Sequence, residues 1–225
     1  MNLFKHTRKW LGKWFLIPLT HHYLSKDRNV RVGEISLIVP TGVFHPTLFS
    51  STLFLLDFIQ KYPFKTNERV LELGAGSGLL AVAAAKRGAS VTASDVNEKA
   101  CAAVAENALR NDASVEVIHS DLLEKLKGRT FDLLLINPPY YPRNPKSDAE
   151  KAWFCGENFD YFQKLFVQLR EGIAEDGKAI MVLSEDCAIT AIRQLAEQAG
   201  LSWQQTAQKK SKGEWNYLFE IKKQA

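Results

Sequence analysis

Residues 131–140 read Phe131-Asp132-Leu133-Leu134-Leu135-Ile136-Asn137-Pro138-Pro139-Tyr140. An apolar run of strand type stops at a polar amide, two prolines and an aromatic ring. The prolines fix the backbone and remove its donors, which leaves carbonyl oxygens aimed outward. Asn137 Oδ1 and the Pro138 carbonyl can then accept both N–H bonds of one NH2 group, while Tyr140 offers a flat surface for stacking. A turn that only ends a strand needs neither the Asn before the prolines nor the Tyr after them.

A second group of residues suits a nucleoside. Val70-Leu71-Glu72-Leu73-Gly74-Ala75-Gly76-Ser77-Gly78-Leu79-Leu80 runs from an apolar strand through three alternate glycines into an alanine-rich helix. Glycines allow a ligand to approach the backbone closely, and a helix start offers unpaired N–H groups. In a G-x-G-x-x-G dinucleotide fingerprint the third glycine would fall on Leu79, so the spacing argues against NAD and FAD. Asp95 ends the next strand 21 residues after Gly74, near the separation expected of an acid that accepts from ribose hydroxyls. Asn97, two residues on, could cap the following helix in its place. Asp121 closes the strand after that and could accept from an adenine amino group.

These positions need a scaffold that brings strand ends together. Strand-like runs at 69–73, 90–94, 114–118, 131–136 and 178–183 alternate with helical stretches at about 78–87, 97–110, 159–172 and 187–199. Such alternation predicts βαβ crossovers and a parallel sheet covered on both faces. Strand-like pieces at 201–208 and 215–222, joined by Lys209-Lys210-Ser211-Lys212-Gly213, predict a closing antiparallel hairpin at the sheet edge. The expected fold is therefore α/β: a Rossmann-like, doubly wound, mostly parallel sheet with a C-terminal antiparallel hairpin. Before it, 31–39 reads as a strand and 47–60 as a buried helix stopped ahead of Pro63.

With 225 residues, 46% hydrophobic and 24% charged, the composition is that of a globular protein and excludes disordered, collagen-like and coiled-coil classes. Residues 1–31 carry seven Lys or Arg against Asp27 alone, and 209–225 carry five Lys against Glu214 and Glu220. A mildly acidic body thus lies between basic ends, which can attract a polyanion or stand in water. Drawn as a helix, the N-terminus puts Leu3, Trp10, Leu11, Trp14 and Ile17 on one face, with Lys5, Lys9 and Lys13 as a ridge. This suits docking on the domain, or contact of residues 1–20 with a membrane surface or a phosphate backbone. No stretch reaches the ~18 apolar residues of a membrane span. Cys101, Cys155 and Cys187 are too dispersed for a zinc motif and too few for a disulfide framework, so they read as reduced thiols in a cytoplasmic protein without a metal.

Taken together, residues 40–222 resemble the class I S-adenosylmethionine-dependent methyltransferases, and most closely the Asn-Pro-Pro-Tyr branch. That branch holds the release-factor glutamine, N6-adenine and small-domain methyltransferases, which share a seven-stranded sheet. The similarity extends to Val43-Phe44-His45-Pro46-Thr47, like the segment that borders the cofactor before the core. It also takes in Trp153-Phe154-Cys155-Gly156-Glu157-Asn158, like a glycine-containing loop after the prolines. The resemblance implies S-adenosyl-L-methionine as cofactor, bound by Thr47, Glu72, Gly74, Ala75, Gly76, Gly78, Asp95, Val96, Asp121, Leu122 and Asn137. It implies a catalytic set of Asn137, Pro138, Pro139 and Tyr140. His45 and His119 are given no role. The domain is expected to span 40–225, with 1–39 as a basic helix-and-strand extension too short to be the helical recognition domain of bacterial release-factor methyltransferases.

The expected reaction moves a methyl group to a planar nitrogen, with a protein glutamine amide ranked first and a release-factor-like protein as acceptor. The alternative is adenine N6 or another base in ribosomal RNA or DNA. A duplex base would have to be flipped out, and little chain is available to do so. A minor alternative is a non-enzymatic membrane-surface or partner-binding module. A monomer is expected.

Overall fold

The predicted alternation of runs resolves into a seven-stranded sheet in a computed structural model that describes residues 26–148 and 150–224. The expected N-terminal amphipathic helix lies outside the described residues. In chain order the elements are β1 (Arg28–Val32), β2 (Ile35–Val39), α1 (Ser50–Lys61), β3 (Arg69–Leu73), α2 (Leu79–Ala85), β4 (Ser90–Asp95) and α3 (Glu98–Arg110). They continue with β5 (Val115–His119), β6 (Phe131–Ile136), α4 (Asp160–Gly172), β7 (Ile173–Ser184), α5 (Ile189–Gln198), β8 (Leu201–Ser211) and β9 (Glu214–Lys223). Sheet order is β5-β4-β3-β6-β7-β9-β8. The first five strands are parallel, and β9 runs antiparallel to both neighbours.

Two cores form because successive strand residues point to opposite faces. Val70, Leu133, Leu135, Ile180 and Val182 join one core with α1, α2 and α3. Their neighbours Leu71, Leu134, Ile136, Met181 and Leu183 join the other with α4 and α5. Strands covered on both sides must be apolar at nearly every position, which is why the sequence shows runs there. On the second face Phe162 and Phe166 are fully buried, a gain of roughly 2–3 kcal/mol each by removal from water.

Several boundaries differ from those expected. The single strand at 31–39 is a β1–β2 hairpin turning at Gly33, whose φ is +59°. Its second strand is held by side chains of α3 and its C-cap: Ile38 N–H donates to Asn107 Oδ1 at 2.7 Å and Ser36 N–H to Asn111 Oδ1 at 2.9 Å. The long β7 begins at Ile173 because Ala174-Glu175-Asp176-Gly177 stays extended through a register shift opposite Phe131 and Leu133. The first strand of the closing hairpin runs on through Lys209 and Lys210, expected in its loop, and the turn falls on Lys212 and Gly213 alone.

The sheet order places a topological switch point between β3 and β6. Connections leave these adjacent parallel strands toward opposite edges, the geometry in which open α/β sheets bind ligands. Leu73 is in register with Ile136, so Gly74 and Asn137 emerge side by side.

Candidate active site

A cavity of about 400 Å³ opens at the carboxyl ends of the strands, over that switch point. Of the residues expected to form the site, Glu72, Gly74, Ala75, Gly76, Asp95, Val96, Asp121, Leu122, Asn137, Pro138, Pro139 and Tyr140 line it. Thr47 and Gly78 do not. Thr47 is partly buried, with its backbone N–H and Oγ1 at 3.4 and 3.3 Å from His45 Nδ1 and its carbonyl accepting from Lys212 Nζ. Gly78 faces α3, where a Cβ would come within 3.0 Å of Val104 Cγ1. Its glycine therefore lets two helices close on each other.

Glu72 is the deepest acid of the site. It is only 4% exposed, and Oε2 accepts from Ala81 N–H at 2.7 Å in the first turn of α2. Burial pushes its carboxyl up to about 8, against the pull of the N–H groups of Ala81 and Leu80. Asp95 accepts from Gly76 N–H through Oδ2 and from Asn97 N–H through Oδ1, both at 2.9 Å. Burial raises this carboxyl too, while its bonds to Asn97 and Gly76 act the other way. Asn97 itself caps α3, accepting from Lys99 N–H at 3.0 Å. The helix cap is thus a separate group, and each Asp95 oxygen keeps a further lone pair. Asp121 is paired with Lys164 of α4, which also reaches Glu124 at 2.6 Å.

Gly74 and Gly76 have φ of +71° and +54°, a region that side chains with a Cβ avoid. A Cβ built on Gly74 meets nothing within 4 Å, so the turn presents bare backbone to open space. Beneath it Ser94, 1% exposed, also lines the cavity, and its hydroxyl has no hydrogen-bond partner.

At the other end of the cavity, Asn137 Nδ2 donates to Thr52 Oγ1 at 3.0 Å. Pro138 and Pro139 are buried, and the Tyr140 ring lies 4.8 Å from that of Tyr141. The following loop folds back through backbone bonds from Tyr141 to Trp153 and from Cys155 to Tyr141. Phe44, Phe49 and Trp153 form a three-ring cluster, with centroids 5.0–5.4 Å apart, that joins this loop to the segment before α1.

Thr52, Ser94 and Lys164 also line the cavity, but sequence reasoning missed them. A signal existed for the first: Ser50-Ser51-Thr52 puts three hydroxyl residues at the start of an otherwise apolar helix. Lys164 carried none, since one lysine on an amphipathic helix looks like solvated surface. Among the described residues there is no His, Cys, Asp and Glu group able to hold a metal, and no helix long and apolar enough to cross a membrane.

Residues 34–210 match the family model of the methyltransferase small domain. The ribosomal protein L11 methyltransferase of Thermotoga neapolitana is 43% identical over 117 residues, 49% of this chain and 42% of that protein. A release factor glutamine methyltransferase of Lactococcus lactis is 40% identical over 136 residues, 55% of this chain and 50% of its own length. This chain therefore spans about half the length of the curated relatives it matches. Among solved structures, a T. thermophilus 16S rRNA N2 methyltransferase, in complex with AdoMet and guanosine, aligns with a TM-score of 0.66 at 19% identity. That alignment covers 88% of this chain and 50% of the other, a likeness of fold alone.

Proposed function

Because the chain belongs to the methyltransferase small domain family, we propose that it methylates a planar nitrogen from S-adenosylmethionine, with a protein glutamine side-chain amide as acceptor. One observation carries this reading: Asn137 and Pro138-Pro139 border the same cavity as the glycine turn, and the Asn137 amide is fixed by Thr52. The name of the Lactococcus lactis relative favours glutamine and a release-factor-like protein.

The cavity residues fit the cofactor. The open glycine turn admits close approach, and Asp95 and Asp121 stand at successive strand ends for ribose and adenine. The carboxylates suit a ligand that carries positive charge. When bound, S-adenosylmethionine supplies an electrophilic methyl group on a cationic sulfur. The protein's own task is to make a poor nucleophile attack. An amide or exocyclic amine shares its lone pair with a carbonyl or ring. Asn137 Oδ1 and the Pro138 carbonyl would accept its two N–H bonds and turn the lone pair toward the methyl. Such orientation is worth roughly 7–11 kcal/mol of barrier in the best intramolecular models. Tyr140 would stack on the planar group, and burial holds its own phenol protonated. No general base is needed before attack, since the nitrogen becomes acidic as it takes the methyl and then gives up its extra proton to water. Three free thiols support a cytoplasmic setting.

The base alternative rests on the Phe44–Phe49–Trp153 ring cluster beside the cavity, which could stack on a nucleobase. Transfer of labelled methyl from S-adenosylmethionine into fractionated cell extract decides between them, with parallel protease and nuclease treatment. Loss of label to protease is the expected result, and loss to nuclease moves the acceptor to RNA or DNA. Asn137→Ala is expected to lose most turnover while keeping S-adenosylmethionine affinity. Near-normal turnover in that variant removes the mechanism.

A further inference from the structure

The first turn of α1 is unusual for a helix that buries Phe54, Leu55, Leu56 and Ile59. Ser50, Ser51 and Thr52 are only 6–8% exposed. Buried hydroxyls lose water and weaken a helix unless they find partners. Two of these find them in other elements: Ser50 Oγ accepts from Asn216 Nδ2 of β9 at 2.9 Å, and Thr52 Oγ1 accepts from Asn137 Nδ2 at 3.0 Å.

A carboxamide has two unlike branches, and its last torsion is soft. With Nδ2 directed to the cavity, Asn137 would offer a donor to an incoming NH2 group, and the two donors would repel. With Nδ2 on Thr52, the acceptor Oδ1 is the branch left for a ligand. We propose that Thr52 is a positioning residue for the methyl acceptor, holding the Asn137 amide in its acceptor-outward orientation. This rests on the planar-nitrogen reading given above. The turn that carries Thr52 and the segment leading into it are pinned from the closing hairpin. Besides the Asn216 bond, Lys212 Nζ donates to the carbonyls of Thr47 and Leu48 at 3.2 and 3.1 Å. The hairpin, which contributes no residue to the cavity lining, is therefore linked through α1 to the acceptor end of the site.

The test compares Thr52→Val, which keeps the shape and removes the oxygen, with Thr52→Ser, which keeps the oxygen, and with Asn137→Ala. The first readout is the side-chain NH2 resonance pair of Asn137, identified by its disappearance in Asn137→Ala. In the wild type one proton of the pair should show a contact with the Thr52 methyl group and a hydrogen-bonded shift. The shift should vanish in Thr52→Val and persist in Thr52→Ser. The second readout is the initial rate of label transfer into the protein-rich extract fraction at saturating S-adenosylmethionine. Thr52→Val should be slower by about tenfold, the scale of one hydrogen bond, and Thr52→Ser should recover the rate to within about twofold. S-adenosylhomocysteine affinity, by calorimetry, should stay within about twofold in both. The proposal is overturned if the Asn137 NH2 pair shows no contact with Thr52. It is also overturned if Thr52→Val transfers at the wild-type rate while Asn137→Ala is inactive, or if Thr52→Val loses ligand affinity in step with rate. Full transfer by Asn137→Ala overturns the planar-nitrogen reading first, and this proposal with it.

Discussion

Replacing Glu72 by Gln should flatten part of the protein's stability profile against pH. In the folded chain Glu72 keeps its proton until about pH 8, whereas the usual value for a glutamate is 4.5. Between these values the folded state binds one more proton at this site than the unfolded state does. Unfolding free energy must then fall as pH rises through the window, the reverse of the usual salt-bridged acid. Each full pH unit inside it is worth about 1.4 kcal/mol. Between pH 5.5 and 8, allowing for the rounded ends of both titrations, the loss comes to about 3 kcal/mol. Urea denaturation of wild type and Glu72→Gln at a series of pH values measures it. Other groups, Asp95 included, titrate in both proteins and largely cancel in the difference. The wild type should lose about 3 kcal/mol relative to the variant across that range. Parallel profiles would show that Glu72 ionises normally, and that its buried setting beneath α2 costs it nothing.

Two further outcomes are expected. Asp95→Ala removes the acceptors of Gly76 N–H in the glycine turn and of Asn97 N–H, together with the proposed ribose site, and should weaken S-adenosylhomocysteine binding by about tenfold or more; unchanged affinity by calorimetry would refute the assignment. Asn107→Ala leaves Ile38 N–H, Ile38 C=O and Ser77 C=O without their partners in a fully buried position. Urea denaturation should register a loss of about 3 kcal/mol or more, and a loss below about 1 kcal/mol would contradict the account of how β2 is held.

The parts of the cavity lining that were legible in the sequence are those in which adjacent residues form one local pattern. Glycines at alternate positions, an acid ending a strand, and Asn-Pro-Pro-Tyr after an apolar run each declare themselves within a dozen residues. The central strands were legible for a related reason: burial on both faces makes them largely apolar runs, broken only by Arg69 and Glu72 in 69–73 and by Asp132 in 131–136. What stayed hidden depends on pairs distant in the chain. Thr52 and Asn137 are 85 residues apart, and Lys164 and Asp121 are 43 apart. Neither separation leaves a local pattern. Thr47 and Gly78 lie outside the cavity lining: the Thr47 hydroxyl meets His45 Nδ1, and the missing side chain of Gly78 makes room for Val104. At 173–177 the Glu-Asp-Gly composition reads as a turn, and only pairing of Ile173 with Phe131 keeps it extended.

The order in which the sheet is filled has a consequence for how the molecule comes into being. β9 follows every other described strand in the chain, yet it occupies an interior place between β7 and β8. During synthesis the other described strands emerge before it, and until it arrives the edge of β7 from Ala179 to Ser184 lies open. An unpaired apolar edge is a hazard while it lasts, since it can pair with the wrong chain. Asn216 travels on that same strand, so Ser50 and the turn carrying Thr52 are anchored only once it is in place. Nascent chains on the ribosome would thus hold the glycine turn before they hold a fixed Asn137.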